Sequence, residues 1–167
     1  MSESLGESIA RAAATFRESP PRAQATFRSE SRLGAGFHSE VKLRHHALSV
    51  DEPKGIGGSD QGPTPVELVL AALGTCQEIT YRAFATALGI PLESVAVTVE
   101  GDIDFRGFFA IDETIRPGFG ALRVKAVVKS SAAPAELARL REMVNGHCPV
   151  LDMLTKPVPV SFEFLAV

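Results

Sequence analysis

Residues Thr64 to Cys76 run Thr-Pro-Val-Glu-Leu-Val-Leu-Ala-Ala-Leu-Gly-Thr-Cys, a strong helix start that leads into a helix with almost no polar side. Thr64 fits an N-cap, Pro65 the first helical position and Glu67 the third, which together make a capping box. Gly89 and Pro91 mark the stop, so the pattern predicts a helix over Pro65 to Leu88, about 36 Å long at ~1.5 Å per residue. A helix apolar on most faces has to be enclosed on most faces. Ala71, Ala72 and Gly74 are small enough to admit a second backbone, which predicts another central helix packed against this one.

The rest of the chain supplies strands for that helix to pack on. Between Ala23 and Asp51, Val41, Leu43, Leu48 and Val50 recur at strand spacing, with turns at Leu33-Gly34-Ala35-Gly36 and Arg44-His45-His46, so a three-stranded meander is expected. Glu52 to Gly62 is a Gly/Pro/Asp loop. Val95 to Ile103 and Ala121 to Lys129 alternate as half-buried strands. The Phe/Gly-rich connection between them, Phe105 to Gly120, has the length and apolarity of a functional loop or an interface. A helix over Pro134 to Asn145 follows, with Leu137, Leu140, Met143 and Val144 on one face and Gly146 as its stop. A short helix then opens at Cys148-Pro149, and a strand is expected over Val158 to Phe164. Strands, a long helix, two strands, two helices and a strand make an α+β arrangement. Residues 1–23 stand apart as an appendage, with a helix around Ile9 to Phe16 ended by Ser19-Pro20-Pro21, that either docks on a partner subunit or stays mobile. The main domain is then 24–167.

Composition excludes several roles. A net charge of −3 with mixed signs and no basic stripe argues against nucleic acid as a partner. No apolar run approaches the ~18 residues of a membrane span, and no secretory signal is evident at the start, so a cytoplasmic protein is expected. The long apolar helix needs more partner surface than one such chain provides, which predicts an obligate homodimer.

There are two cysteines. Cys76 lies inside the long helix, and Cys148 directly precedes a proline that opens a helix, where unpaired N–H groups converge and a thiolate is stabilised. In a reducing compartment the pair points to redox-active thiols rather than a structural crosslink. The alternative, two buried cysteines serving as small apolar side chains, stays open at this level. His147 is a candidate base beside Cys148. His45 and His46 have no ligand spacing with the cysteines and are best taken as turn residues, and no metal or other cofactor is expected.

Gly62-Pro63-Thr64-Pro65-Val66-Glu67-Leu68-Val69-Leu70-Ala71-Ala72-Leu73-Gly74-Thr75-Cys76 resembles the first cysteine motif of the OsmC/organic hydroperoxide resistance family, and His147-Cys148-Pro149-Val150 resembles the second, with the two cysteines 72 residues apart. Asp104-Phe105-Arg106-Gly107 and Pro117-Gly118-Phe119 resemble the loop of one branch. The resemblance covers about Ala23 to Phe164 and implies an OsmC-like fold: antiparallel sheets around two central helices, in an intertwined homodimer. It implies thiol peroxidase activity on organic hydroperoxides, with Cys76 attacking the peroxide, Cys148 resolving the sulfenic acid to a disulfide, and an external dithiol as reductant. Two features depart from the family's pattern. Peroxidase members carry glutamate directly after the motif's proline, where this chain has Val66, while Glu67 sits about 100° further round the helix and is accounted for by capping. The arginine that the family's glutamate holds would be Arg28, Arg32 or Arg44. The resemblance therefore leaves a second function open, a non-enzymatic dimer that binds an apolar small molecule in a cavity lined by the Phe108/Phe109 loop.

Overall fold

The capping box forms as expected and starts the longest helix. In the computed structural model, which describes residues 3–166, Glu67 Oε2 accepts from the Thr64 N–H at 2.8 Å and from its hydroxyl at 3.0 Å, while Thr64 Oγ1 accepts from the Glu67 N–H at 3.2 Å. Residues 1, 2 and 167, which belong to the appendage and the domain expected from sequence, lie outside the described residues. The elements are helix α1 (Leu5–Glu18), strands β1 (Glu30–Leu33), β2 (Ser39–Leu43) and β3 (His46–Val50), helix α2 (Pro65–Leu88), strand β4 (Ser94–Asp102), helix α3 (Phe105–Phe108), strand β5 (Ala121–Lys129), and helices α4 (Pro134–His147) and α5 (Pro149–Thr155). They divide into two compact units. One is the chain through Ala72 with Thr98–Lys125, and the other is Leu73–Val97 with the chain from Ala126 onward.

In the first unit β1, β2 and β3 form the expected antiparallel meander, with Val41 opposite Leu48 and Ser39 opposite Val50. The second turn is shorter than expected. Arg44 takes the left-handed conformation (φ 58°), and His46 already belongs to β3. Past β3, the buried Asp51 carboxylate organises the Gly/Pro/Asp loop. It accepts from the Glu52 N–H (2.8 Å), the Ser59 hydroxyl (2.6 Å) and N–H (3.2 Å), and the Gln61 N–H (3.2 Å). Those donors, led by the Ser59 hydroxyl, hold its pKa at about 2. Gly62 packs its Cα against the Ser49 carbonyl so closely that any side chain there would overlap it. The loop thereby delivers the chain to Thr64 and fixes where α2 begins.

β4 and β5 pair with each other. Arg123 on β5 forms ion pairs with Asp102 and Glu100 on β4, and Lys129 pairs with Glu93 at 2.7 Å. In the second unit, Tyr81, Ala85 and Ile90 pack with Leu140 and Val144 of α4 to make the main core cluster. The second central helix therefore meets α2 on Tyr81 and Ala85, beyond the small-residue stretch expected from sequence.

Several expectations need correction. The N-terminal helix spans 5–18 rather than 9–16, because Ser4 and Glu7 form a capping box of their own (Ser4 N–H to Glu7 Oε2, 2.7 Å; Glu7 N–H to Ser4 Oγ, 3.2 Å). The apolar connection after β4 contains the short α3, capped by Asp104. Gly146 does not stop α4, which runs on to His147 until Pro149 ends it. Within one chain the first half of α2 is only partly covered: Val66, Leu68, Val69 and Leu70 are half-buried and Ala71 and Ala72 exposed, while Leu73 and Gly74 are buried. Val158 to Phe164 forms no strand. Pro157 and Pro159 remove ladder donors, no strand among the described residues of the chain pairs with the segment, and Phe162 and Phe164 are 94% and 89% exposed.

Candidate active site: a pair of facing cysteines

Cys76 and Cys148 belong to the same unit, and their sulfurs lie 3.4 Å apart, with the Cys148 S–H donating to the Cys76 sulfur. Both are free thiols; Cys76 is partly exposed and Cys148 is buried. A disulfide bond is ~2.05 Å long, so the gap closes with a sulfur movement of roughly 1.4 Å, within reach of side-chain rotation. Packing and a proline together place Cys148 here. Leu140 and Val144, both 0% exposed, pin α4 to the core, and the Cys148 N–H completes the last turn on the Val144 carbonyl at 2.9 Å. Pro149 then disfavours helical geometry at the residue before it. Cys148 adopts φ −75°, ψ 113° and serves as C-cap of α4 and N-cap of α5.

The electrostatics centre on Cys76. Burial is the largest influence and pushes its thiol up; the Val150 N–H lowers it, the facing Cys148 raises it, and the Thr80 hydroxyl lowers it, for a net upward shift. The Cys148 N–H is spent on Val144, and the next available donor, that of Val150, serves the Cys76 sulfur. Thr80 and Val150 are the two site residues the sequence reading missed. Thr80 was legible in principle, since it lies one turn beyond Cys76 on the same helix face.

His147 is exposed. Its Nδ1 lies 2.8 Å from the Met143 carbonyl, which can only accept, and its ring packs against Phe84 at 5.3 Å between centroids. The proton on Nδ1 and the ring face are thus both engaged away from the thiols. In the other unit the His45 and His46 rings lie 3.9 Å apart, tilted by 44°, and among the described residues no three His, Cys, Asp or Glu side chains group as a metal site. Glu67 is committed to capping. Of the three candidate arginines, Arg28 pairs with Glu30 at 2.6 Å on the surface, Arg32 lies on β1 and Arg44 occupies the turn before β3. Phe108 and Phe109 pack edge to face at 5.0 Å and are more than half exposed.

A family model described as "OsmC-like protein" matches residues 58–163, well over half of the chain. A search of curated proteins returns no significant match. Among solved structures, an OsmC-like protein from Mycoplasma pneumoniae aligns with TM-score 0.70 at 16% identity, covering 80% of this chain and 90% of that one. An organic hydroperoxide resistance protein from Legionella pneumophila aligns with TM-score 0.60 at 21% identity (78% and 89% covered). One from Elizabethkingia anophelis, with thiocyanate bound, gives 0.61 at 21% (80% and 91%). At these identities the structures establish the fold. Among the described residues, no helix is long and apolar enough to cross a membrane.

Proposed function

Because the chain belongs to the OsmC-like family, we propose that it is a cysteine-based peroxidase that reduces organic hydroperoxides through Cys76 and Cys148. The Cys76 thiolate attacks the terminal peroxide oxygen, the O–O bond breaks, the alcohol departs with a proton, and Cys76 is left as a sulfenic acid. The Cys148 sulfur then attacks the Cys76 sulfur and expels water, closing a disulfide that an external dithiol reopens by exchange. The observation that carries this reading is the pair itself: two free sulfurs 3.4 Å apart, of which Cys76 alone is partly open to a substrate. The names of the Legionella and Elizabethkingia structures support the substrate class.

The working form is a cytoplasmic homodimer. Supporting this are the incompletely covered first half of α2, Ile79 at 69% exposure in mid-helix, and the apolar alternation of Val158, Val160, Phe162 and Phe164 without a sheet. Sedimentation is expected to give twice the chain mass of 17.8 kDa, and a stable folded monomer refutes the assembly.

Stoichiometric cumene hydroperoxide tests the chemistry. Both thiols are expected to disappear, the intact mass to fall by two hydrogens, and peptide mapping to join Cys76 to Cys148. Two free thiols after exposure refute the peroxidase and favour a binding protein that presents Phe108 and Phe109.

A further inference from the structure

Cys76 poses a difficulty for any thiolate chemistry: burial and the facing Cys148 both work against its ionisation. Thr80 answers it from within α2. Residues four apart stack on one helix face, so the Thr80 hydroxyl, bound to the Cys76 carbonyl, stands on the face of α2 that carries the Cys76 side chain, and it is among the groups that lower the Cys76 thiol. Thr80 is buried, and its Oγ1 donates to the Cys76 carbonyl at 2.7 Å. That carbonyl already has a helical partner, the Thr80 N–H, because both residues lie within α2. The hydroxyl proton is therefore not needed where it rests. A sulfur that becomes anionic is the stronger acceptor, since a charge-assisted hydrogen bond is about twice as strong as a neutral one.

We propose that Thr80 is the thiolate-stabilising residue of this site: its hydroxyl rests on the Cys76 carbonyl in the thiol form and turns to the Cys76 sulfur when that sulfur ionises. The thiol proton leaves to solvent, and Thr80 keeps its own proton throughout, giving a hydrogen bond and no charge. From α2 the group facing the sulfur is Thr80. From the α4–α5 junction it is Cys148, the titratable neighbour, and from α5 it is the Val150 N–H. The adjacent His147 is turned to Met143 and Phe84. The Val150 backbone donor is common to every side-chain variant, so substitutions at position 80 isolate the hydroxyl.

The inference takes its purpose from the peroxidase reading, but its measurement needs no peroxide. Iodoacetamide labelling of Cys76 in the full-length reduced protein, followed by peptide mass spectrometry across pH, compares wild type with Thr80→Val and Thr80→Ser. Valine keeps the shape and removes the donor; serine keeps the donor. Thr80→Val is expected to move the labelling profile to higher pH and slow labelling at pH 7 about tenfold, with Thr80→Ser within about twofold of wild type. If valine prevents folding, Thr80→Ala is read in its place and is expected to give the same shift. A folded Thr80→Val or Thr80→Ala protein with the wild-type profile overturns the proposal, as does a Thr80→Ser profile displaced as far as theirs. A shift in labelling in a protein that never consumes hydroperoxide would leave the role of Thr80 intact and remove the peroxidase reading.

Discussion

Leu140→Ala tests the packing that holds Cys148 in place. Leu140 is 0% exposed and sits among Tyr81, Ala85, Ile90 and Val144. Truncation removes three carbons from a site whose lining is fixed from two helices: Val144 stands one turn further along α4, and Tyr81 and Ala85 belong to the 24-residue α2. Such a site collapses poorly, so the loss falls in the usual range for buried Leu→Ala, about 3 kcal/mol. For a chain of this size that lowers the melting temperature by roughly 6–12 °C. A looser α4 also carries Cys148 away from its position 3.4 Å from Cys76, so peroxide-driven disulfide formation is expected to slow. Urea unfolding at fixed protein concentration provides the measurement, since association shifts apparent stability by mass action. Leu140→Met, which nearly conserves volume, is expected to cost less than about 1.5 kcal/mol and to preserve the rate of disulfide closure. A loss below about 1 kcal/mol for Leu140→Ala, with the denaturant slope unchanged, would refute the claim that this core anchors the second cysteine.

Three further outcomes follow from the same geometry. Cys148→Ser removes the sulfur proposed to resolve the intermediate, so peroxide is expected to leave Cys76 trapped as a sulfenic or more oxidised acid in the intact mass spectrum; quantitative recovery of unmodified Cys76 would contradict its proposed role as the attacking thiol. Because burial holds the Cys76 thiol above its ordinary range, thiolate is scarce at neutral pH and both alkylation and peroxide consumption are expected to rise about tenfold per pH unit from pH 7 upward. A wild-type profile already flat at pH 6 would show that another group activates the sulfur. Asp51 has a folded pKa of about 2 against an ordinary 3.8, so its contribution to stability is fully present above about pH 4 and is lost as pH falls toward 2. Asp51→Asn is expected to flatten the acid limb of a stability-against-pH curve over that window, and an unchanged limb would refute the assignment.

What the sequence made legible was what depends on near neighbours in the chain. The capping box at Thr64 and Glu67, the stop at Gly89 (φ 67°) and the alternation along β4 and β5 are local, and these elements match or nearly match the expected bounds. Gly146 misled because a glycine ends a helix only where the chain turns left-handed, and here the constraint came from Pro149 three residues later. Val158 to Phe164 misled for a different reason: alternation shows that a segment suits a sheet, while pairing depends on a neighbour that nothing in this segment encodes. At the site, the two cysteines and their helices were legible. Their 3.4 Å approach was not, since it depends on how Leu140 and Val144 seat α4.

The division of labour proposed for the cysteines rests on accessibility more than on local acidity. Judged by helix position alone, Cys148 is the better thiolate, because it begins a helix while Cys76 sits inside one. Pro149 decides which donor begins α5. Having no N–H, it offers no donor at the first position of α5, so the first available donor is that of Val150, and that donor serves the Cys76 sulfur. The same proline ends α4 at His147 and so places the Cys148 sulfur against Cys76 and away from solvent. A buried thiol that touches one other sulfur is poorly placed to meet a peroxide and well placed to meet a sulfenic acid formed 3.4 Å away. Cys76 has the complementary position, partly exposed and supplied with donors from its own helix and from α5.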